Sequence, residues 1–221
     1  MPKLVQVQIF KYDELSEDVK NKLRNEYEIE DGWYEAKKEE LLEKLTNKGF
    51  YNVDLEFSGF WSQGDGASFT GNINLEEYLN NMINNDRHSD TTYESILTAL
   101  INQDITLTEN IIKRDKFHRY VHENTTSLYL DYIPCEGFED NIADLFNSLY
   151  DYILKDIREL NIKCYKALEK EYELQTTNDI KDSYYSDLEY NYFEDGKICK
   201  DNYIIQQNRI IPERDTFNPN A

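Results

Sequence analysis

Alternate positions of one short segment, Arg114, Lys116, His118, Tyr120 and His122, fall on a single face if the chain from Ile112 to Glu123 is extended. Two permanent cations and two imidazoles on one face suit phosphate oxygens, so Arg114, Lys116, His118 and His122 form a candidate anion-binding set for a nucleotide or cyclic oligonucleotide. A shared metal ion fits poorly: on a strand His118 and His122 stand roughly 13 Å apart, too far for one coordination sphere. The plainer alternative is an exposed sheet face whose cations pair with acids of the same chain.

The second cluster is Ser58-Gly-Phe-Trp-Ser-Gln-Gly-Asp-Gly-Ala-Ser-Phe-Thr-Gly71, which gathers glycines and a tryptophan into one loop. Gly64-Asp65-Gly66 opens backbone conformations closed to other residues, and Ser62, Gln63 and Ser68 add hydrogen-bonding groups. A phosphate cradle is one reading. Against it, the spacing matches neither GxxxxGK[ST] nor GxGxxG, no lysine follows, and Asp65 repels an anion. The acids also lack the alternation of a calcium loop. The competing reading is a bulged connection between two strands whose Phe60 and Trp61 pack on neighbouring helices. The loop set is Trp61, Gln63, Gly64, Asp65, Gly66 and Ser68.

Nucleophilic chemistry has no footing in the sequence. His88 lies in a polar run, and no GxSxG or Cys/His signature surrounds Cys135, Cys164 or Cys199. The three thiols form no CxxC pair, which argues against a zinc site or disulfide framework and for a reducing compartment. We assign no catalytic residue, no metal and no cofactor, and expect a binding protein more than an enzyme.

These residues need elements to hold them. Residues 4–10 alternate as a first strand, and Leu15, Val19, Leu23 and Tyr27 follow at helical spacing after the start at Asp13–Ser16. A second helix runs through Trp33, Leu41 and Leu45 to a stop at Gly49. Val53, Leu55 and Phe57 before the glycine loop, and Phe69, Gly71 and Ile73 after it, predict two strands; 75–84 and 92–102 predict short helices. The stretch 105–133 reads as an antiparallel hairpin with a turn at 124–126. Beyond Pro134 apolar residues recur every three or four positions from Phe138 to Tyr172, an amphipathic helix of about 50 Å with its likeliest bend at 160–162. A further helix is expected over 178–190. The fold class is α+β: a mostly antiparallel sheet with flanking helices and a long C-terminal acidic helical segment. The expected organisation is an α+β domain over 1–134, a helical segment over 135–190, and a turn with a poorly packed tail over 191–221.

Charge restricts the partners. Of 221 residues, 44 are acids and 24 are Lys or Arg, a net of −20, which opposes the approach of free DNA or RNA. Residues 51–110 hold ten acids and one base, and 136–200 hold sixteen acids against eight bases. Glu76, Glu77, Asp140 and Asp144 are the candidate contacts of an acidic face for a basic or nucleic-acid-binding protein; the bland alternative is solubility. Eighteen tyrosines favour protein interfaces over base stacking on so acidic a chain. The N-terminus has no apolar signal region, and no run of eighteen apolar residues occurs, so we expect a soluble intracellular protein with no membrane contact. A homo-oligomer is compatible with the sequence.

The segment Ser58–Phe69, with Arg119-Tyr-Val-His-Glu-Asn124, Leu168-Glu-Lys-Glu-Tyr-Glu173 and Phe193-Glu-Asp-Gly196, resembles a family of uncharacterised bacteriophage and prophage proteins, some carrying antitoxin-like labels. The resemblance implies a phage origin, an accessory role and the host cytoplasm as location, and it supplies no catalytic residue. Three functions follow as expectations: inhibition of a host or defence factor by nucleic-acid mimicry, a nucleotide-binding module built on the glycine loop and the 114–122 strand, or a phage structural component.

Overall fold

The computed structural model describes residues 7–85, 91–115, 120–136, 142–200, 203–206 and 209–212. In chain order the elements are β1 (Val7–Gln8), α1 (Glu17–Glu26), α2 (Glu35–Thr46), β2 (Phe50–Phe57), β3 (Ala67–Ile73), α3 (Leu75–Asn85), α4 (Thr91–Ile101), β4 (Ile105–Arg114), β5 (Thr126–Pro134), α5 (Ile142–Gln175), α6 (Asn178–Asp187), β6 (Tyr203–Gln206) and β7 (Arg209–Pro212). Both sheets are antiparallel, in the orders β2-β3-β4-β5 and β1-β7-β6, and the α+β class holds. The chain divides into two compact units, residues 34–171 and residues 1–33 with 172–221. This differs from a boundary at 134, because the long helix buries its apolar stripe in the same core as the strands before it.

In the unit 34–171, alternation along β2 and β3 sends Phe50, Leu55, Phe69 and Ile73 inward. A bulge between Tyr51 and Asp54, with Asn52 at a φ of 52°, shifts the register of that hairpin. β4 and β5 pair from Ile105↔Pro134 to Arg114↔Thr126, whereas β3 meets β4 only at Gly71↔Ile112 and Asn72↔Ile111. Across this sheet lies the buried stripe of α5: Ile142, Phe146, Leu149, Ile153, Ile157, Leu160, Cys164 and Leu168. Burial raises the Cys164 thiol to about 11, so it is a core group and no nucleophile. α3 opens on a reciprocal cap, in which Asn74 Oδ1 accepts from the Glu77 amide (3.2 Å) and Asn74 Nδ2 donates to Glu77 Oε2 (3.3 Å).

α5 runs unbroken for 34 residues through the expected bend at 160–162. Asn161 sits in its buried stripe for another reason. Its Oδ1 accepts from the Phe69 amide of β3 and its Nδ2 donates to Thr126 Oγ1 of β5, both at 2.9 Å. Thr126 Oγ1 also shares a hydrogen bond of 2.9 Å with Ser68 Oγ. Ser68, Thr126 and Asn161 are all at most 1 % exposed, so the network is dry and depends on its own members.

The unit 1–33 with 172–221 has a small core of Tyr12, Leu15, Leu23 and Tyr192. Arg24 donates from Nε to Asp182 Oδ1 and from Nη2 to Asp182 Oδ2, both at 2.6 Å, a bidentate clamp between α1 and α6. Tyr12 Oη donates to the same carboxylate. A turn with a poorly packed tail was expected over 191–221; within that range β6 and β7 form a hairpin whose second strand pairs with β1. Residues 203–206 and 209–212 carry Ile pairs that the asparagine and proline content of the tail obscures.

Two outcomes are expected. Asn161→Leu strands the Phe69 N–H inside the core, leaves Thr126 only its bond to Ser68, and should lower stability by about 2 kcal/mol, seen as a lower urea midpoint at unchanged slope; a loss under about 1 kcal/mol removes the network from the fold's supports. Hydrogen bonds from Arg24 hold the Asp182 carboxyl below its ordinary value. Its contribution is therefore complete above about pH 5 and is lost as the pH falls through the lowered folded value. Melting temperatures of wild type and Asp182→Asn should converge between pH 7 and pH 3, and a constant gap contradicts the assignment.

Candidate functional site

The glycine loop, residues 58–66, joins β2 to β3 and is tied across its base by Ser58 N–H to Gly66 O (3.0 Å) and Gly66 N–H to Ser58 Oγ (3.1 Å). At its tip the Asp65 carboxylate accepts from the Ser62 amide (2.8 Å) while the Asp65 amide donates to Ser62 O (3.1 Å). The carboxylate that repels an anion is thus the loop's own cap. The glycines serve close approach to a distant segment. A Cβ on Gly66 would stand 2.9 Å from Val121 O and 3.0 Å from His122 Cα; one on Gly64, whose φ is 93°, would stand 3.0 Å from the Tyr120 ring. The space that a phosphate cradle needs is filled by the chain itself.

The loop's two aromatic residues part company. Phe60 packs inward, its ring 5.5 Å from Tyr165 of α5 and 5.8 Å from Phe57. Trp61 was expected to do the same and does not. It is 67 % exposed, with its backbone at a φ of 70°, which turns the indole outward beside Phe60. Gln63 is exposed, and Ser68 is buried in the Asn161 network. The Tyr165 phenol is raised by burial and by the charges of Glu169 and Asp65, against a hydrogen bond from the Trp61 backbone.

The basic stripe does not persist as one strand. β4 ends at Arg114, and a 3-10 turn over Glu123–Thr125 precedes β5. Arg114 pairs with Glu56 of β2. His122 Nδ1 accepts from the Asn124 amide at 3.2 Å and lies 3.1 Å from Glu123 Oε2. Lys116 and His118 lie outside the described residues. Arg114 is engaged by Glu56 and His122 by the Asn124 amide, an arrangement that suits holding the β4–β5 connection against the glycine loop. Among the described residues no group of three or more His, Cys, Asp or Glu is placed to hold a metal ion, and no helix is long and apolar enough to cross a membrane.

A different surface of this unit carries uncompensated charge. Where β4 continues past the end of β3, a groove of about 590 Å³ opens, lined by residues of β3, α3, α4 and β4. Ile73, Leu75, Leu100, Ile105 and Leu107, with Tyr51 of β2, form its apolar lining; Asn74, Glu76, Gln103, Thr106 and Asn110 add polar groups, and among the described residues no base lines it. Asn110 is already satisfied, donating to Tyr51 Oη (3.0 Å) and Ile73 O (3.1 Å). Glu76, Glu94, Asp104 and Glu109 have no ion-pair partner among the described residues, unlike Asp54 and Glu56, which pair with Lys38 and Arg114. Glu94, Asp104 and Glu109 escaped residue-level reading, although the near absence of bases from 51–110 was their signal.

Of the acids named from sequence, Glu76 lines this groove, and Glu77 is spent on the α3 cap. Asp144 is exposed in the first turn of α5, and Asp140 lies outside the described residues. α5 itself carries seven acids and five bases, so most of the acidity of 136–200 lies outside that helix.

Stability separates the loop's roles. Trp61→Ala should cost less than about 1 kcal/mol because the indole is exposed, whereas Gly66→Ala drives a Cβ into backbone and should cost about 1–3 kcal/mol. Urea denaturation of the two variants gives the order directly, and a larger loss for Trp61→Ala reverses the reading.

No curated protein and no solved structure matches the chain. Residues 33–179, which take in the whole of the unit 34–171, match the model of the family described as Domain of unknown function (DUF8835), and the chain belongs to that family.

Proposed function

We propose that this chain is a binding protein that engages a basic, nucleic-acid-binding partner through the groove between β3, α3, α4 and β4, in competition with nucleic acid. The observation that carries the reading is a groove of mixed polar and apolar lining with Glu76 in its wall and, among the described residues, no base in its lining and no ion-pair partner for Glu94, Asp104 and Glu109 of the same stretch. Partly exposed Leu100 and Leu107 beside Glu76 give a partner both contact area and long-range steering. The resemblance of the glycine-loop segment to bacteriophage and prophage proteins adds that the partner is a host or defence factor, met and inhibited in the host cytoplasm. A nucleotide-binding role draws less support, because the loop glycines accommodate Tyr120, Val121 and His122 and Arg114 is paired with Glu56.

The test is affinity capture from a bacterial lysate with the wild-type chain and with a Glu76→Lys, Glu94→Lys, Glu109→Lys variant as baits. Glu77 is left alone because its reversal would damage the α3 cap. Wild type should retain a basic protein that the variant loses. Raising salt from 0.1 M to 1 M, which shortens the Debye length from about 10 Å to about 3 Å, should release it, as should added DNA or RNA. Equal capture by both baits, or retention indifferent to salt and nucleic acid, makes the acidity a solubility device.

A further inference from the structure

The unit 1–33 with 172–221 holds a cavity of about 350 Å³, within the range of small-molecule sites. Tyr27, Trp33 and Tyr184 supply aromatic rings to its lining, and Glu30, Asp31 and Asp187 supply three carboxylates. Among the described residues no Lys, Arg or His lines it. The rings are held in place: Tyr27 meets Tyr184 edge to face at 5.2 Å, and Trp33 meets Tyr172 in the same manner at 5.3 Å. The backbone turn 30–33, closed by Trp33 N–H to Glu30 O at 3.3 Å, brings two of the acids and the indole to one side. From α6 come Ser183, Tyr184 and Asp187, with Ser183 Oγ donating to Asp187 Oδ2 at 3.3 Å.

Aromatic faces carry negative potential, and carboxylates at the rim add to it, so such a cavity selects a cation. The ring edges and the Ile29 and Ile180 side chains add apolar surface. That combination disfavours a small, strongly hydrated metal ion and favours a bulky cation whose charge is spread over methyl groups. One ring already draws a cation of the chain's own: Lys181 Nζ stands 5.9 Å from the centre of Tyr27. The Tyr27 phenol is raised first by burial and then by the Glu30 charge, which places that carboxylate's field on the cavity wall. We propose that this cavity is a binding site for a methylated organic ammonium ion. The acidic groove of the unit 34–171 is a separate surface, and the cation site does not depend on it.

The two tryptophans, Trp33 and Trp61, give two indole N–H signals in the ¹⁵N spectrum of the full chain, and Trp61→Phe assigns them. Titration with choline should move the Trp33 signal saturably, while its uncharged isostere 3,3-dimethylbutan-1-ol should bind at least tenfold more weakly. Glu30→Gln combined with Asp187→Asn, both at exposed positions, should weaken choline at least fivefold with the melting temperature unchanged. Equal affinity for choline and the neutral isostere overturns the proposal, since the cavity is then an apolar crevice. Absence of any saturable shift also overturns it, as does choline binding indifferent to the double variant. N-acetyl-trimethyllysine amide in a parallel titration separates the sources: tighter binding than choline assigns the site to a methylated side chain of a protein, weaker binding to a free small molecule.

Discussion

A helix that buries an asparagine in an otherwise apolar stripe accepts a constraint that leucines do not impose. Asn161 must find a donor and an acceptor without water, and the Phe69 amide and Thr126 hydroxyl supply them. Sliding α5 by one turn, or rotating it by one residue, would leave Asn161 and the Phe69 amide unsatisfied and take one of two partners from Thr126. The network therefore fixes both the height and the rotation of α5 on the sheet. It also stands where the sheet is weakest. β3 shares only two residue pairs with β4, and above them the first half of β3 is held through Ser68 to Thr126 of β5 and through Asn161 to the helix. The glycine loop ends one residue before that half-strand, so its position inherits the same constraint.

Local pattern carried most of the elements. The inward set of β2 and β3 and the three-and-four spacing of α5 were legible because each is a periodicity within one segment. Asn161 was read only as part of the likeliest bend for the same reason: a polar residue in an apolar stripe looks like an interruption until its partners, 92 and 35 positions away, are known. The division into units was hidden too. Nothing in residues 1–33 shows that their core is completed by Tyr192, or that Arg24 is clamped to Asp182.

The glycine loop shows the same limit at a finer scale. Its composition announced a special backbone, and the backbone is special. What it could not announce is that Gly64 and Gly66 are small for the sake of Tyr120, Val121 and His122, which belong to the connection that was read as a phosphate-binding strand. The two candidate sites of the sequence are in contact with each other, through Gly64 and Gly66 on one side and Tyr120, Val121 and His122 on the other. The exposed face left by this closure is aromatic, with Trp61 at 67 % and Tyr120 at 52 % exposure.

Charge, which has no periodicity to read, becomes informative only once pairing is known. Lys38, Lys48 and Arg114 meet Asp54, Asp156 and Glu56, so a share of the surplus acid is neutralised. What remains is not spread evenly: Glu76, Glu94, Asp104 and Glu109 fall within one continuous run of the chain that also lines the groove, and α4 ends beside it on Ile101, 57 % exposed. Solubility asks for charge, and dispersed charge serves it as well. It does not ask for a groove that gathers partly exposed Leu100 and Leu107 beside Glu76 in the most acidic part of the unit. Such a groove, on a run whose carboxylates have no ion-pair partner among the described residues, is the pairing expected of a surface that desolvates against a cationic partner.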